Sequence, residues 1–347
     1  MPAFIRTRAT ISGAALAATL FSSLAAAQPL PAGPVQVANP NAALQYWPAW
    51  AQIPTDVREK LGKIDWDKVY SAKADADLPQ DYRDVASFDL LFNVAEDLTR
   101  VSKVERCDFE IRYDDGFMAV LPHLTPMRTG ERLLRVAANE KLRKGDADKA
   151  AAYVGAMTRS AAKLAGDRVL ISSLVGTAGG MGACEQAKLV LASPALSADA
   201  RQDLLRELRS LDTADPMGIR AALAFEATTI PRYMERTYRG PRSGQEIAKL
   251  LKELNSPGPE SDKVLAEVAA MDEAAIKREL ARVTKVYEEI YAAWNLDADA
   301  SKLRAVNEKV ASGAHGPLAQ VLCPSVEKSF LSAKKFRETL RATMLTK

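Results

Sequence analysis

The sequence predicts an all-α protein of antiparallel helical hairpins stacked into a superhelix, interrupted once by an irregular segment. Three observations predict it. Ala, Leu, Lys, Arg and Glu dominate and aromatics make up only 6%, a balance that favours helices, since those five are strong helix formers. From Met127 onward, apolar residues recur at three- and four-residue steps, the period of a helix with one buried face. Val, Ile and Thr do not gather into the alternating runs that half-buried strands need.

Residues 1–27 read as a secretory signal peptide. Arg6 and Arg8 give the positive start, an apolar and small-residue run covers 11–27, and Ala25-Ala26-Ala27 precedes Gln28-Pro29. That run is too short and too rich in Ala, Ser and Thr for a membrane span, and no stop-transfer segment follows. The expected protein is therefore exported, to periplasm or medium, with no transmembrane anchor after cleavage. The leader holds two arginines and no acid, so the 47 basic and 44 acidic residues of the chain become a near balance in the mature protein. Such a balance gives no electrostatic reason to expect nucleic acid or an anionic membrane as partner. Pro29, Pro31, Pro34 and Pro40 mark 28–40 as an extended linker. Residues 41–347 form the helical domain, with 41–191 and 192–347 as candidate subdomains.

Asn41 is placed to cap a short helix through Leu44 and Trp47, despite Pro48. A second short helix follows Pro54 and carries Val57, Leu61 and Ile64. Residues 81–101 read as one helix, with Val85, Phe88, Leu91, Ala95 and Leu98 along a stripe. Leu133, Leu134, Ala137 and Ala138 mark the next, which ends near Lys144-Gly145. Asp146 caps its successor, and Gly166-Asp167 repeats the Gly-Asp punctuation to start a helix over 167–191. The segment "AANEKLRKGDADKAAAYVGAM" has the small residues and the turn of tetratricopeptide-type hairpins, without a period regular enough to count repeats. Ser197 starts a helix bearing Leu204 and Leu208. Asp215-Pro216 reads as an N-cap with proline at the first helical position, opening a helix to about 238 that kinks near Pro231. Ser243 and Glu246 fit a capping box, and 255–259 a loop. A long helix then carries Ile276, Leu280, Val283, Tyr287, Ile290 and Trp294. The last two run over 300–310 and from Pro317 to the C-terminus.

The irregular segment is 105–124, "ERCDFEIRYDDGFMAVLPHL". Asp114-Asp115-Gly116 suits a turn, so a small hairpin or a loop near 103–122 is expected. As a binding site its candidates are Cys107, Asp108, Tyr113, Asp114, Asp115 and His123, groups able to ligate a metal or move a proton. No CxxC, HxxxH or HExxH accompanies them, so a structured loop packed on the helices is the stronger reading. His315, in "SGAHGP", reads as an exposed turn residue. "LVGTAGGMGAC" lacks the Lys-Ser/Thr of a phosphate loop and fits close helix packing better. Glu140, Glu185 and Glu226 lie in apolar helix surroundings. They could converge as acid and base, although ion pairs with Arg135, Arg220 or Arg232 are the commoner use of such acids. Cys107, Cys184 and Cys323 could supply one disulfide in an exported chain, but three buried free thiols are the simpler expectation.

The motifs "NAALQYW" (41–47), "CDFEIRYDDG…LPHL" (107–124), "ANEKLRKGDADKAAAYV" (138–154), "DRVLISSLVG" (167–176) and "GPLAQVLCPS" (316–325) resemble a group of exported helical proteins of planctomycete-type bacteria. The resemblance implies export and a tetratricopeptide-like superhelix; it carries no activity and no cofactor. The function expected is a non-enzymatic envelope protein that binds protein or peptide segments. The alternatives are an envelope hydrolase or lyase using Glu140, Glu185, Glu226 or His123, and a metal-binding protein using the 107–123 loop.

Overall fold

The structure, a computed structural model, describes residues 40–254 and 259–346. The expected signal peptide and linker up to residue 39, and residues 255–258 of the expected loop, lie outside the described residues. The described residues form sixteen α-helices and two 3-10 turns, with no strand. The first five helices are short: α1 (Ala42–Ala51), α2 (Thr55–Lys63), α3 (Trp66–Ser71), α4 (Gln80–Ala86) and α5 (Leu91–Ser102). Three long ones follow, α6 (Leu124–Arg143), α7 (Ala147–Ala165) and α8 (Leu170–Leu191), then α9 (Ala198–Ser210) and α10 (Ile219–Thr237). The remainder are α11 (Ser243–Leu254), α12 (Pro259–Ala269), α13 (Glu273–Ala293), α14 (Ser301–Ala311), α15 (Pro317–Leu322) and α16 (Glu327–Met344).

Local signals set many boundaries as expected. Asn41, Asp146 and Ser197 each accept a backbone N–H of the first turn that follows, satisfying donors that a helix start leaves free. Gly145, with φ of 79°, supplies the left-handed residue that ends α6. Elsewhere tertiary packing overrides the pattern. The 81–101 stripe is broken at 87–90 into α4, which packs on α2 and α6, and α5, which packs on α1, α6 and α7. The C-terminal helix is interrupted at 323–326, where Pro324 forbids a continuous ladder. The helices α3 and α12 were not expected; Asp65 caps α3 by accepting from Lys68 N–H. Asp215 does cap α10, but from farther out, accepting from Arg220 and Ala221 N–H across a left-handed Gly218. Ser243 already lies inside α11 and its hydroxyl has no partner, so the box is not made. Pro231 sits within α10 and leaves the Ala227 carbonyl without its helical donor; the Thr284 hydroxyl of α13 lies 3.4 Å from it.

Consecutive long helices pack on each other, α6 on α7 and α7 on α8, as short links between antiparallel neighbours require. The buried side chains form two clusters. One runs from Ala42 to Met217 and also takes Phe336 and Leu340 of α16. The other runs from Ile219 to Ala333. Helix α8 touches α6, α7, α10 and α16, which explains its lack of a polar face. Its glycines let neighbours in: a Cβ on Gly176 would lie 2.9 Å from the Ala161 carbonyl of α7, and one on Gly180 would meet Met217 and Phe336. The run is thus a packing device, as its sequence suggested.

Candidate functional site

The irregular segment is locked rather than open. Asn41 Nδ2 donates to the Asp108 carbonyl, its Oδ1 accepts from Asp108 N–H, and Ala42 N–H donates to the Arg106 carbonyl. An aromatic pile continues inward: Tyr46 stacks on Trp50, Trp50 on Phe109, and Phe109 on His123 with ring centres 3.9 Å apart. His123 Nε2 then hydrogen-bonds Asp167 Oδ2 at 2.7 Å, both residues being buried. Lys163 closes the outside by donating to the Val104 carbonyl. The "NAALQYW" and "CDFE…LPHL" motifs are therefore two halves of one packed junction. Asp167, expected as a helix cap, is spent on His123 instead, while α8 begins only at Leu170.

The expected ligands do not gather there. Asp108 accepts from Glu110 N–H, Asp115 pairs with Arg112, and Asp114 is exposed beside Arg236. No group of three His, Cys, Asp or Glu able to hold a metal exists among the described residues. Burial pushes the Cys107 thiol up to about 12, which leaves it neutral and weakly nucleophilic. Cys184 and Cys323 are free and buried, one in each cluster, and burial pushes each to about 12. His315 is half-buried beside Glu289 rather than exposed.

The end of the same segment does build a cavity. No hairpin forms; a 3-10 turn (Tyr113–Met118) lies against α10. Gly116 makes this possible, because its φ is 55° and a Cβ there would lie 2.7 Å from Tyr233 Cβ. Tyr113 meets Phe225 edge-on, and Phe117 meets Tyr233. Between this turn, the start of α8, α10, Tyr287 of α13 and the Leu322–Pro324 corner lies a cavity of 320 Å3. Its walls are mainly aliphatic and aromatic: Leu121, Val169, Ile171, Leu174, Phe225 and Ile230. Ile171 is 49% exposed at the mouth, and the neighbouring Met118 and Val120 are exposed too.

Glu226 is the acid among the lining residues. Its Oε1 accepts Leu170 N–H at 2.8 Å, so a side chain from α10 serves the free amide at the start of α8. Burial raises this carboxyl above its ordinary range, with the Leu170 hydrogen bond opposing. Burial, reinforced by Glu226, raises the Tyr287 phenol as well. Glu140 and Glu185 do not line this cavity. Glu140 accepts from Tyr82 hydroxyl at 2.8 Å, and Glu185 pairs with Arg135 at 2.5 Å. The three acids thus serve three separate local partners. From sequence the cavity was foreshadowed only by Tyr113 and Glu226; its other walls looked like ordinary core. No protein-family model matches the chain, and no curated protein or solved structure is significantly similar to it.

Proposed function

We propose that this is an exported cell-envelope binding protein, non-enzymatic, which receives an apolar group of a peptide or protein segment in the cavity between the 3-10 turn and α10. The supporting observation is the 320 Å3 cavity with apolar walls, among them the exposed Ile171. That volume is at the small end of ligand sites and suits one or two large side chains. The consecutive packing of α6, α7 and α8 supports a tetratricopeptide-like reading of the scaffold. Because α16 packs back on α8, the cavity is a better receptor than a continuous superhelical groove. The hydrolase or lyase reading needs paired acids at one pocket, and Glu226 lacks such a partner among the lining residues.

The test is a titration of the mature chain with the apolar dye N-phenyl-1-naphthylamine, followed by competition with Phe- and Leu-containing peptides. Saturable fluorescence, displaced by the peptides and lost in Ile171→Asp and Thr229→Trp, is expected. Unchanged fluorescence in both variants would put the binding elsewhere and end this reading.

A further inference from the structure

A second cleft, independent of the cavity above, lies between α6, α8 and Trp66. We propose that it binds a small oxyanion, a phosphate or carboxylate group, held by Arg128 and Arg132 with the Glu131 carboxyl as an additional hydrogen-bond donor. Arg128, Arg132 and Arg135 share one face of α6 at helical spacing and line the cleft with Glu131. They grade from mouth to floor: Arg128 is exposed, Arg132 half-buried and Arg135 buried.

The floor is fixed and the mouth is not. Arg135 lies 4.0 Å over the Trp66 ring, donates to Tyr70 hydroxyl at 2.6 Å and pairs with Glu185. The guanidinium groups of Arg128 and Arg132, by contrast, have no acid within ion-pair distance and no hydrogen bond among the described residues. They sit close enough that each other's charge is felt, and burial with the Arg128 charge lowers the Arg132 guanidinium. Two neighbouring guanidinia without a counter-charge are a preformed fork for an oxyanion.

Glu131 is the second, independent observation. It is 94% buried, and its Oε1 is enclosed without a partner. The carboxyl rests directly over Gly179 of α8, where any side chain would collide with both its oxygens. So a glycine of the "GTAGGMG" run makes room for an acid that no protein group satisfies. An orphaned buried polar group of this kind is costly and calls for a partner. Burial pushes the carboxyl up to about 8 despite Arg128 and Arg132, so at neutral pH it carries an O–H. A neutral acid donates to an anion where a carboxylate would repel it. The cleft holds 190 Å3, against about 30 Å3 for a water in the liquid, so it admits an anionic group with a little water.

Calorimetric titration of the mature chain with inorganic phosphate and with acetate, each against chloride at matched ionic strength, tests this. Saturable binding of either oxyanion but not chloride is expected, and the tighter of the two identifies the group. The double variant Arg128→Gln/Arg132→Gln should weaken it by about tenfold or more. Glu131→Gln, which keeps a donor, should bind within about threefold of the parent, while Glu131→Leu should lose about tenfold. Circular dichroism checks that each variant folds. No heat above chloride, or unchanged affinity in the arginine double variant, would overturn the site. Much tighter binding by Glu131→Gln would show a charged carboxyl and overturn the donor role.

Discussion

Burying His123 and Asp167 together takes two polar groups out of water in exchange for one strong hydrogen bond and a ring stack on Phe109. Removing one partner orphans the other, so His123→Ala should destabilise the chain by about 3 kcal/mol, read as a lower urea midpoint. The histidine then acts as a pin outside the cavity lining, and dye binding at the adjoining cavity should survive under native conditions. Glu131 makes a different prediction. Its carboxyl titrates near 4.5 in the unfolded chain and is pushed to about 8 when folded, so the folded state holds a proton that the unfolded state releases. Its contribution is therefore complete below pH 4.5 and fades as pH rises toward 8. In a buffer free of oxyanions, Tm should fall between pH 5 and 8, and Glu131→Gln should flatten that fall. A parallel slope in parent and variant would exclude Glu131 as its source.

The 105–112 segment has no regular hydrogen-bond ladder of its own, so it depends on the start of α1 for satisfaction. Asn41 serves Ala43, the Asp108 N–H and the Asp108 carbonyl at once. Asn41→Ala should cost about 2 kcal/mol, one cap plus the tie, and should speed tryptic cleavage at Arg106 and Arg112. An unchanged cleavage rate would mean the aromatic pile alone holds the segment. The same borrowing occurs at α8, whose first amide is met by Glu226 from α10. That bond links an element of the first cluster to one of the second.

Across the whole helical body, α16 is the shared strut. Phe330 and Ala333 belong to the second cluster, Phe336 and Leu340 to the first. A helix that buries side chains in two cores couples their unfolding. The parent should melt in one calorimetric transition. Phe336→Ala removes a fully buried ring and should cost about 3–5 kcal/mol; it should lower the midpoint for both clusters together. Two separated transitions in the parent would show that α16 does not couple them. The arrangement also departs from a strict nearest-neighbour solenoid, in which a terminal helix would touch only its predecessor.

The helical class was legible because the three- and four-residue spacing of Leu133, Leu134, Ala137 and Ala138, and of Ile276, Leu280, Val283 and Tyr287, is fixed by one buried face. Caps at Asn41, Asp146 and Ser197 were legible because a cap is a contact between residues two or three apart. The peculiarity of 105–124 was also visible, but its use was not. Cys107, Asp108 and His123 looked like ligands by type; the packing of Tyr46, Trp50 and Phe109 around them makes that region solid. Asp167 looked like a cap by position and was claimed by a histidine 44 residues away. The two candidate sites lie where sequence-distant elements meet, Glu226 at the start of α8 and Glu131 over Gly179. Local spacing determines which segments coil and where many of them start. Only the tertiary structure decides which buried acids find partners, because a partner across helices leaves no period in the chain.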